Sequence, residues 1–555
     1  MLRNDKKFFL LQILLLICYL TLAQENEEVE LDDSKEEDQP PNIIFILADD
    51  LGFNDVSFHG SSQIFTPNID ALAYSGVILN RYYVNPICTP SRSALMTGKY
   101  PIHTGMQHTV LFGAEPRGLP LNEKLLPEYL KPLGYSNHIV GKWHLGSYKK
   151  VYLPLMRGFE SHVGPWTGHH DYFDHSAMET GMWGLDMRRG YDVAYDLHGK
   201  YTTDVITDES VNIINNHNKS QPLFLYIAHT AVHSSNPYSP LPAPDETVAK
   251  IKNIEDYNRR KFAAIVHHLD ESVGAVVKSL ADNHMLHNSI IIFSSDNGGP
   301  AENFNLNAAS NYPLRGVKNT LWEGGVRAAG LIWSPLISEH ARVSNQLMQV
   351  ADWLPTLYRA AGGDLSTITT KLDGIDLWDE LSQQTSADSK RKEILHNIDN
   401  IWGSSAVMVN DWKLVVGTNY NGQWDGWYGP PGNRDPLDYN FKELLTCKAG
   451  RAIDRMGMMP KPNDILKLRS EATISCSDDP PNECNPLKTP CLYNVLKDPC
   501  EKNNLFDTYP NIAKALFVRL EDFNSSTLPP GNLPIDERGN PKNFNYVWTN
   551  FGDYI

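Results

Sequence analysis

A chain of 555 residues, 41% of them hydrophobic, is long enough to bury one large core and a smaller second one, which excludes a fibrous or wholly disordered protein. A formal net charge of −17 excludes global attraction to nucleic acid, so an anionic ligand must be drawn by positive charge focused in a pocket. Of the seven cysteines, Cys18 lies near the start, Cys88 stands alone, and Cys447, Cys476, Cys484, Cys491 and Cys500 cluster near the end. In an oxidising compartment that cluster reads as disulfides with one thiol left over and the pairing open.

Lys6 and Lys7 precede an apolar run at 8–22 that ends on Ala23, the layout of a signal peptide over 1–23, with a signal anchor as the alternative. The run is short against the roughly 20 residues of a membrane span, and no later stretch approaches that length, so no span is expected in the mature chain. Residues 24–40 are dense in Asp and Glu, with Lys35 alone opposing them, and read as a disordered acidic leader. From Pro41 onward short apolar runs alternate with helical patterns, which predicts an α/β fold with a largely parallel sheet. Buried strands are expected at 42–47, 136–140, 223–228, 289–293 and 329–333, and helices from Pro67 and over 121–133, 202–217, 257–282 and 352–361. The clearest helix is 257–282, where Phe262, Ile265, Val266, Leu269, Val273, Val276, Val277 and Leu280 recur at the spacing of one face. Past about residue 401 the texture changes to a strand at 412–416, a Gly-, Pro- and Asn-rich stretch and the clustered cysteines. This predicts a main domain over 41–400 and a smaller α+β domain over 401–555. Asn218 and Asn524 each begin an Asn-x-Ser acceptor for N-glycosylation.

Ligands of open α/β sheets bind beyond the carboxyl ends of the strands. Here the run at 43–47 is followed by Asp49 and Asp50, that at 290–293 by Asp296 and Asn297, that at 223–228 by His229 and His233, and that at 139–140 by Lys142 and His144. Asp49, Asp50, Asp296 and Asn297 offer the oxygen ligands that suit a hard divalent cation such as calcium or magnesium. A lone Asp-Asp after a strand is more often a cap or turn; the matching Asp-Asn-Gly-Gly at a second strand end favours metal. Lys142, His144, His233 and Lys318 supply cations and donors for a tetrahedral anion. His169, His170, His175, His267 and His268 read as ordinary packed or solvated residues.

The segment Cys88-Thr89-Pro90-Ser91-Arg92, followed by Thr97-Gly98, resembles the signature of the sulfatase family. Leu47-Ala48-Asp49-Asp50, Gly141-Lys142-Trp143-His144, Ser295-Asp296-Asn297-Gly298-Gly299, the Lys318-bearing stretch Pro313-Leu314-Arg315-Gly316-Val317-Lys318 and the late element Leu492-Tyr493-Asn494-Val495 extend the resemblance over nearly the whole mature chain. Within the family the likeness is to arylsulfatase B, the N-acetylgalactosamine-4-sulfatase, and to arylsulfatases I and J. The resemblance implies an alkaline-phosphatase-like sandwich, with a large mixed, mostly parallel sheet flanked by helices and a smaller C-terminal α+β domain. It implies hydrolysis of sulfate esters, such as N-acetylgalactosamine 4-sulfate in glycosaminoglycans, by a secreted or lysosomal glycoprotein. Cys88 would be oxidised to formylglycine by the formylglycine-generating enzyme. One hydroxyl of the hydrated aldehyde would attack sulfur, and the second would expel sulfate from the covalent ester. Asp49, Asp50, Asp296, Asn297 and an oxygen of residue 88 would hold Ca²⁺; Arg92 would stabilise residue 88; His144 would orient or deprotonate it; Lys142, His233 and Lys318 would contact the sulfate. The loops 166–190 and 423–438 are the expected pocket walls. A phosphate ester hydrolase on the same fold and a catalytically silent secreted binding protein are the competing readings.

Overall fold

The structure, a computed structural model, describes residues 39–383, 389–434, 438–482 and 484–555. The expected signal peptide and nearly all of the acidic leader lie outside the described residues.

Ten strands form the main sheet among the described residues. In chain order they are β1 (Asn42–Ala48), β2 (Val77–Leu79), β3 (Ser136–Gly141), β4 (Ser161–Gly164), β5 (Arg188–Arg189), β6 (Asp192–Val193), β7 (Leu223–Ala228), β8 (Ser289–Ser295), β9 (Gly330–Trp333) and β10 (Arg342–Ser344). Their order across the sheet is β10-β2-β9-β8-β1-β7-β3-β4-β5-β6. The central run β8-β1-β7-β3-β4 is parallel throughout. β9 and β5 join it antiparallel on either side.

Every residue of β1 is buried, as expected of a strand covered on both faces. Alternate side chains enter two different cores. Ile44 and Ile46 meet Phe262, Ile265, Leu269 and Val273 of the long helix Tyr257–Asp282, whose eight periodic apolar residues are all buried. Ile43, Phe45 and Leu47 meet Leu95, Trp353, Leu354 and Leu357 on the opposite face. A second, antiparallel sheet of β11 (Glu393–Asp399), β12 (Ser404–Val409), β13 (Trp412–Val416) and β14 (Cys491–Asn494) lies near the C-terminus. One of its faces packs on the helix Pro510–Ser525 through Leu395, Val407, Leu414 and Leu492. Its other face meets Tyr83, Trp322 and Val326 of the main body. There Lys413 of β13 lies 2.9 Å from both Glu323 and Glu501, with all three side chains fully buried.

The helix expected over 121–133 is shorter: an α-helix spans Leu126–Leu130 and a single tighter turn spans Lys131–Leu133. Pro127, with fixed φ and no N–H, belongs in a first helical turn, so the preceding residues are loop. Cys476 bonds Cys500, Cys484 bonds Cys491, and Cys447 is the thiol left over in that cluster. Asn218 and Asn524 are both exposed. Among the described residues no helix is long and apolar enough to cross a membrane.

Candidate active site

Ala48 of β1 is level with Ser295 of β8, Leu47 with Ala228 of β7, and Ala228 with Gly141 of β3. The four polar strand ends therefore emerge at one edge of the sheet. Cys88 reaches the same edge as the first residue of the helix Cys88–Thr97. The turn before it is pinned by Ser91, whose hydroxyl accepts from the Asn85 amide at 2.8 Å and donates to the Asn85 carbonyl at 3.1 Å. Arg92, one turn into the helix, donates through Nε and Nη2 to Asp296 Oδ2 at 3.0 and 2.8 Å, and through Nη1 to the Lys142 carbonyl at 3.2 Å. Ser91 and Arg92 of the signature thus fix where residue 88 sits.

The floor of the site balances charge. Lys142 Nζ lies 2.6 Å from Asp49 Oδ2, and Lys318 Nζ lies 2.7 Å from Asp50 Oδ1. His233 Nε2 lies 3.4 Å from Asp50 Oδ2, and Cys88 Sγ lies 3.4 Å from Asp49 Oδ1. Burial alone would raise the Asp50 carboxyl, but Lys318 and then His233 outweigh it and hold the group below its usual range. Asp296 is pushed up, by burial and then by Asp49, against Arg92. Burial also pushes the Cys88 thiol far up despite Lys142 and Lys318, so as a plain cysteine it stays protonated and is a poor nucleophile.

The donor set fits a hard cation. Asp49, Asp50, Cys88 and His233 present ligand atoms all within 4.8 Å of one another. Asn297 donates through Nδ2 to Asp50 Oδ1 at 2.7 Å and to the Gly298 carbonyl, while its Oδ1 is buried with no partner. An orphaned amide oxygen beside carboxylates is what an oxygen-ligated metal would satisfy. Asp296 stands farther from the group, with Oδ2 on Arg92 and Oδ1 accepting from the Asp50 amide at 3.2 Å. Gly298 allows the loop to close, since a Cβ there would lie 1.8 Å from the Gly324 carbonyl oxygen.

His144 has φ 57°, a strained conformation for a non-glycine residue. Its Nε2 bonds the Leu111 carbonyl at 2.9 Å, which places the proton on Nε2 and leaves Nδ1 a lone-pair acceptor, buried and unpartnered. Burial, then Lys142 and Arg92, keep the ring neutral. His229, although at the same strand end as His233, instead bonds Ser272 of the long helix at 3.2 Å.

Four of the five histidines read as ordinary have ordinary surroundings. His170 bonds Thr202, His175 bonds the Lys200 carbonyl, and His267 lies edge-on to His268, which bonds Thr247. His169 differs. Its ring stacks on His233 with centroids 5.7 Å apart and planes 16° from parallel, within electrostatic range of Lys142 and Lys318. No motif marks it; the sequence signal was its place in the 166–190 wall.

The Sulfatase family pattern matches residues 41–363. The chain is 38% identical to arylsulfatase J of Mus musculus, over 92% of this chain and 80% of that protein. It is 31% identical to the N-acetylgalactosamine-6-sulfatase of Homo sapiens, over 62% of this chain and 66% of the other. The crystal structure of Ps i-CgsB superposes with a TM-score of 0.68 at 26% identity, covering 89% of this chain and 94% of that one. These relatives support the family as a whole and do not single out arylsulfatase B. With the signature, the strand-end carboxylates and the cationic floor at one edge, this chain belongs to the sulfatase family of sulfuric ester hydrolases.

Proposed function

We propose that the protein hydrolyses a sulfated sugar, in the manner of arylsulfatase B on N-acetylgalactosamine 4-sulfate of glycosaminoglycans, and that it does so with Ca²⁺ and with Cys88 oxidised to formylglycine. The observation that carries the reading is the meeting of Cys88 with a buried floor of three carboxylates and three cations, Sγ lying 3.4 Å from Asp49. Asp49, Asp50, Asp296, Asn297 and an oxygen at residue 88 would hold the calcium. A hard cation prefers oxygen to a neutral thiol, which agrees with an oxygenated residue 88. Bound there, the ion would offset negative charge developing on the ester; the aldehyde hydrate would offer an oxygen nucleophile with its own route of release.

The chain's own groups do the rest. Lys142, Lys318 and His233 bind the sulfate oxygens. His144 Nδ1 is free to accept the proton of a hydroxyl on residue 88. His233 or Lys318 returns a proton to the departing alcohol oxygen. Arg92 holds the helix that carries residue 88 and fixes Asp296. The protein would mature in the secretory pathway, meet the formylglycine-generating enzyme there, be glycosylated at Asn218 and Asn524, and act in the lysosome or outside the cell.

Mass spectrometry of the peptide spanning residue 88, with turnover of an aryl sulfate and an aryl phosphate with and without a calcium chelator, tests the reading. The expected result is the aldehyde mass, sulfate turnover well above phosphate turnover, and loss of activity on chelation. Faster phosphate turnover would favour a phosphoesterase. An unmodified thiol with neither activity would favour a silent binding protein.

A further inference from the structure

Exposure is uneven across the site. Asp49, Asp50, Cys88 and Lys142 are at most 1% exposed and Lys318 is 2% exposed, so the anionic sulfate belongs at this sealed, cationic end. The alcohol must then point to the open side, where the His233 side chain is 15% exposed and His169 is half-buried. His169 is held firmly there. The Gly168 amide donates to Glu179 Oε1 at 3.2 Å, the Thr167 amide and hydroxyl donate to Asp186 Oδ2 at 2.7 and 2.6 Å, and Gly168 closes against the His144 ring. The stack on His233 sets the plane of the ring.

A neutral imidazole carries one N–H and one lone-pair nitrogen, so the ring offers an acceptor as well as a donor. The ring lies against a second imidazole and within range of Lys142 and Lys318, so a further cation there would face like charges. A neutral acceptor adds nothing to the grip on sulfate. It is matched by an O–H group on the alcohol part of the substrate. A sugar sulfate carries such hydroxyls beside the ester; a simple aryl sulfate carries none.

We propose that His169 is a specificity-determining residue that accepts a hydrogen bond from a sugar hydroxyl adjacent to the sulfated carbon. The proposal rests on the sulfate-ester reading and extends it to the alcohol half of the substrate. His169→Phe keeps the ring stacked on His233 and removes the acceptor; His169→Asn keeps an acceptor oxygen; His169→Ala is the third variant. The fold of each is checked by thermal melting, and kcat/KM is measured on 4-nitrophenyl sulfate and on N-acetylgalactosamine 4-sulfate and 6-sulfate. The expected result is a fall of about tenfold or more in the sugar-to-aryl ratio for His169→Phe, with partial recovery in His169→Asn, because a polar contact to a substrate hydroxyl is lost. Equal losses on both substrates, or no loss on either, would overturn the proposal. So would a wild-type enzyme that turns over the aryl ester and neither sugar. Absence of all sulfate turnover by the wild type would overturn the functional reading, and this inference with it.

Discussion

Substituting Gly168 by alanine tests whether the position of the His144 ring matters to the reaction. A Cβ on residue 168 would lie 2.7 Å from His144 Nε2 and 2.8 Å from Cε1, where ordinary contact begins at 3.4 Å. The same Nε2 is tied to the Leu111 carbonyl at 2.9 Å, so moving the ring away strains that bond. Relieving the clash requires a displacement of about 0.7 Å, shared between the ring and the 168–169 backbone. A misplacement of about 1 Å in a catalytic group can cost on the order of 100-fold, so Gly168→Ala should lose about 10- to 100-fold in kcat on an aryl sulfate. Overpacking should also lower stability by about 1–3 kcal/mol, read as a lower midpoint in urea. A folded variant whose kcat stays within about threefold of wild type would refute the assignment of His144 to the reaction.

Arg92→Met leaves Asp296 buried without the guanidinium that bonds its Oδ2 and should cost about 3–5 kcal/mol in urea unfolding, whereas a change under 1 kcal/mol would show that the pair does not stabilise the fold. Asn297→Leu removes the orphaned amide oxygen at similar volume and should weaken calcium binding at least about tenfold by calorimetry; unchanged affinity would remove Asn297 from the ligand set. Glu501 is pushed up to about 7 by burial, partly offset by Lys413, with the neighbouring Glu323 raising it further. Its folded-state value lies above the ordinary 4.5, so between about 4.5 and about 7 the native state holds a proton that the unfolded chain releases, and this group's contribution to stability falls as pH rises through that window. The melting temperature of Glu501→Gln should therefore gain on wild type from about pH 5 to about pH 8; a constant difference would contradict the shift.

The strands were legible because covered parallel strands read as unbroken apolar runs, and Leu223–Ala228 appears within the bounds its sequence suggests. The helix Tyr257–Asp282 was legible because its apolar periodicity runs unbroken from Phe262 to Leu280. The start at Leu126 was missed because an apolar stretch at helical spacing hid the breaking effect of Pro127. In the site, residues within short motifs at strand ends could be read directly. Register carries Asp49, Asp296 and Lys142 to one edge, and a turn bonded to the Asp49 carbonyl through the Val232 amide returns His233 to it. His169 could not be read, because its role comes from a ring stack between two loops 64 residues apart, and spacing along the chain does not encode that approach. The pairing of Cys476 with Cys500 was equally hidden, since several pairings satisfy the same spacing.

Lys413 bears on chimaera construction. It bridges Glu323, five positions beyond Lys318 in the chain, to Glu501 beside the Cys476–Cys500 bond, with the Tyr83 hydroxyl completing the set at 2.9 Å from Glu323. Transplanting the final third from a relative that lacks this lysine would leave Glu323 buried without its cation, and the segment bearing Lys318 would lose its tether. Exchange of tails between relatives is thus restricted to donors that bring the same lysine–glutamate clasp.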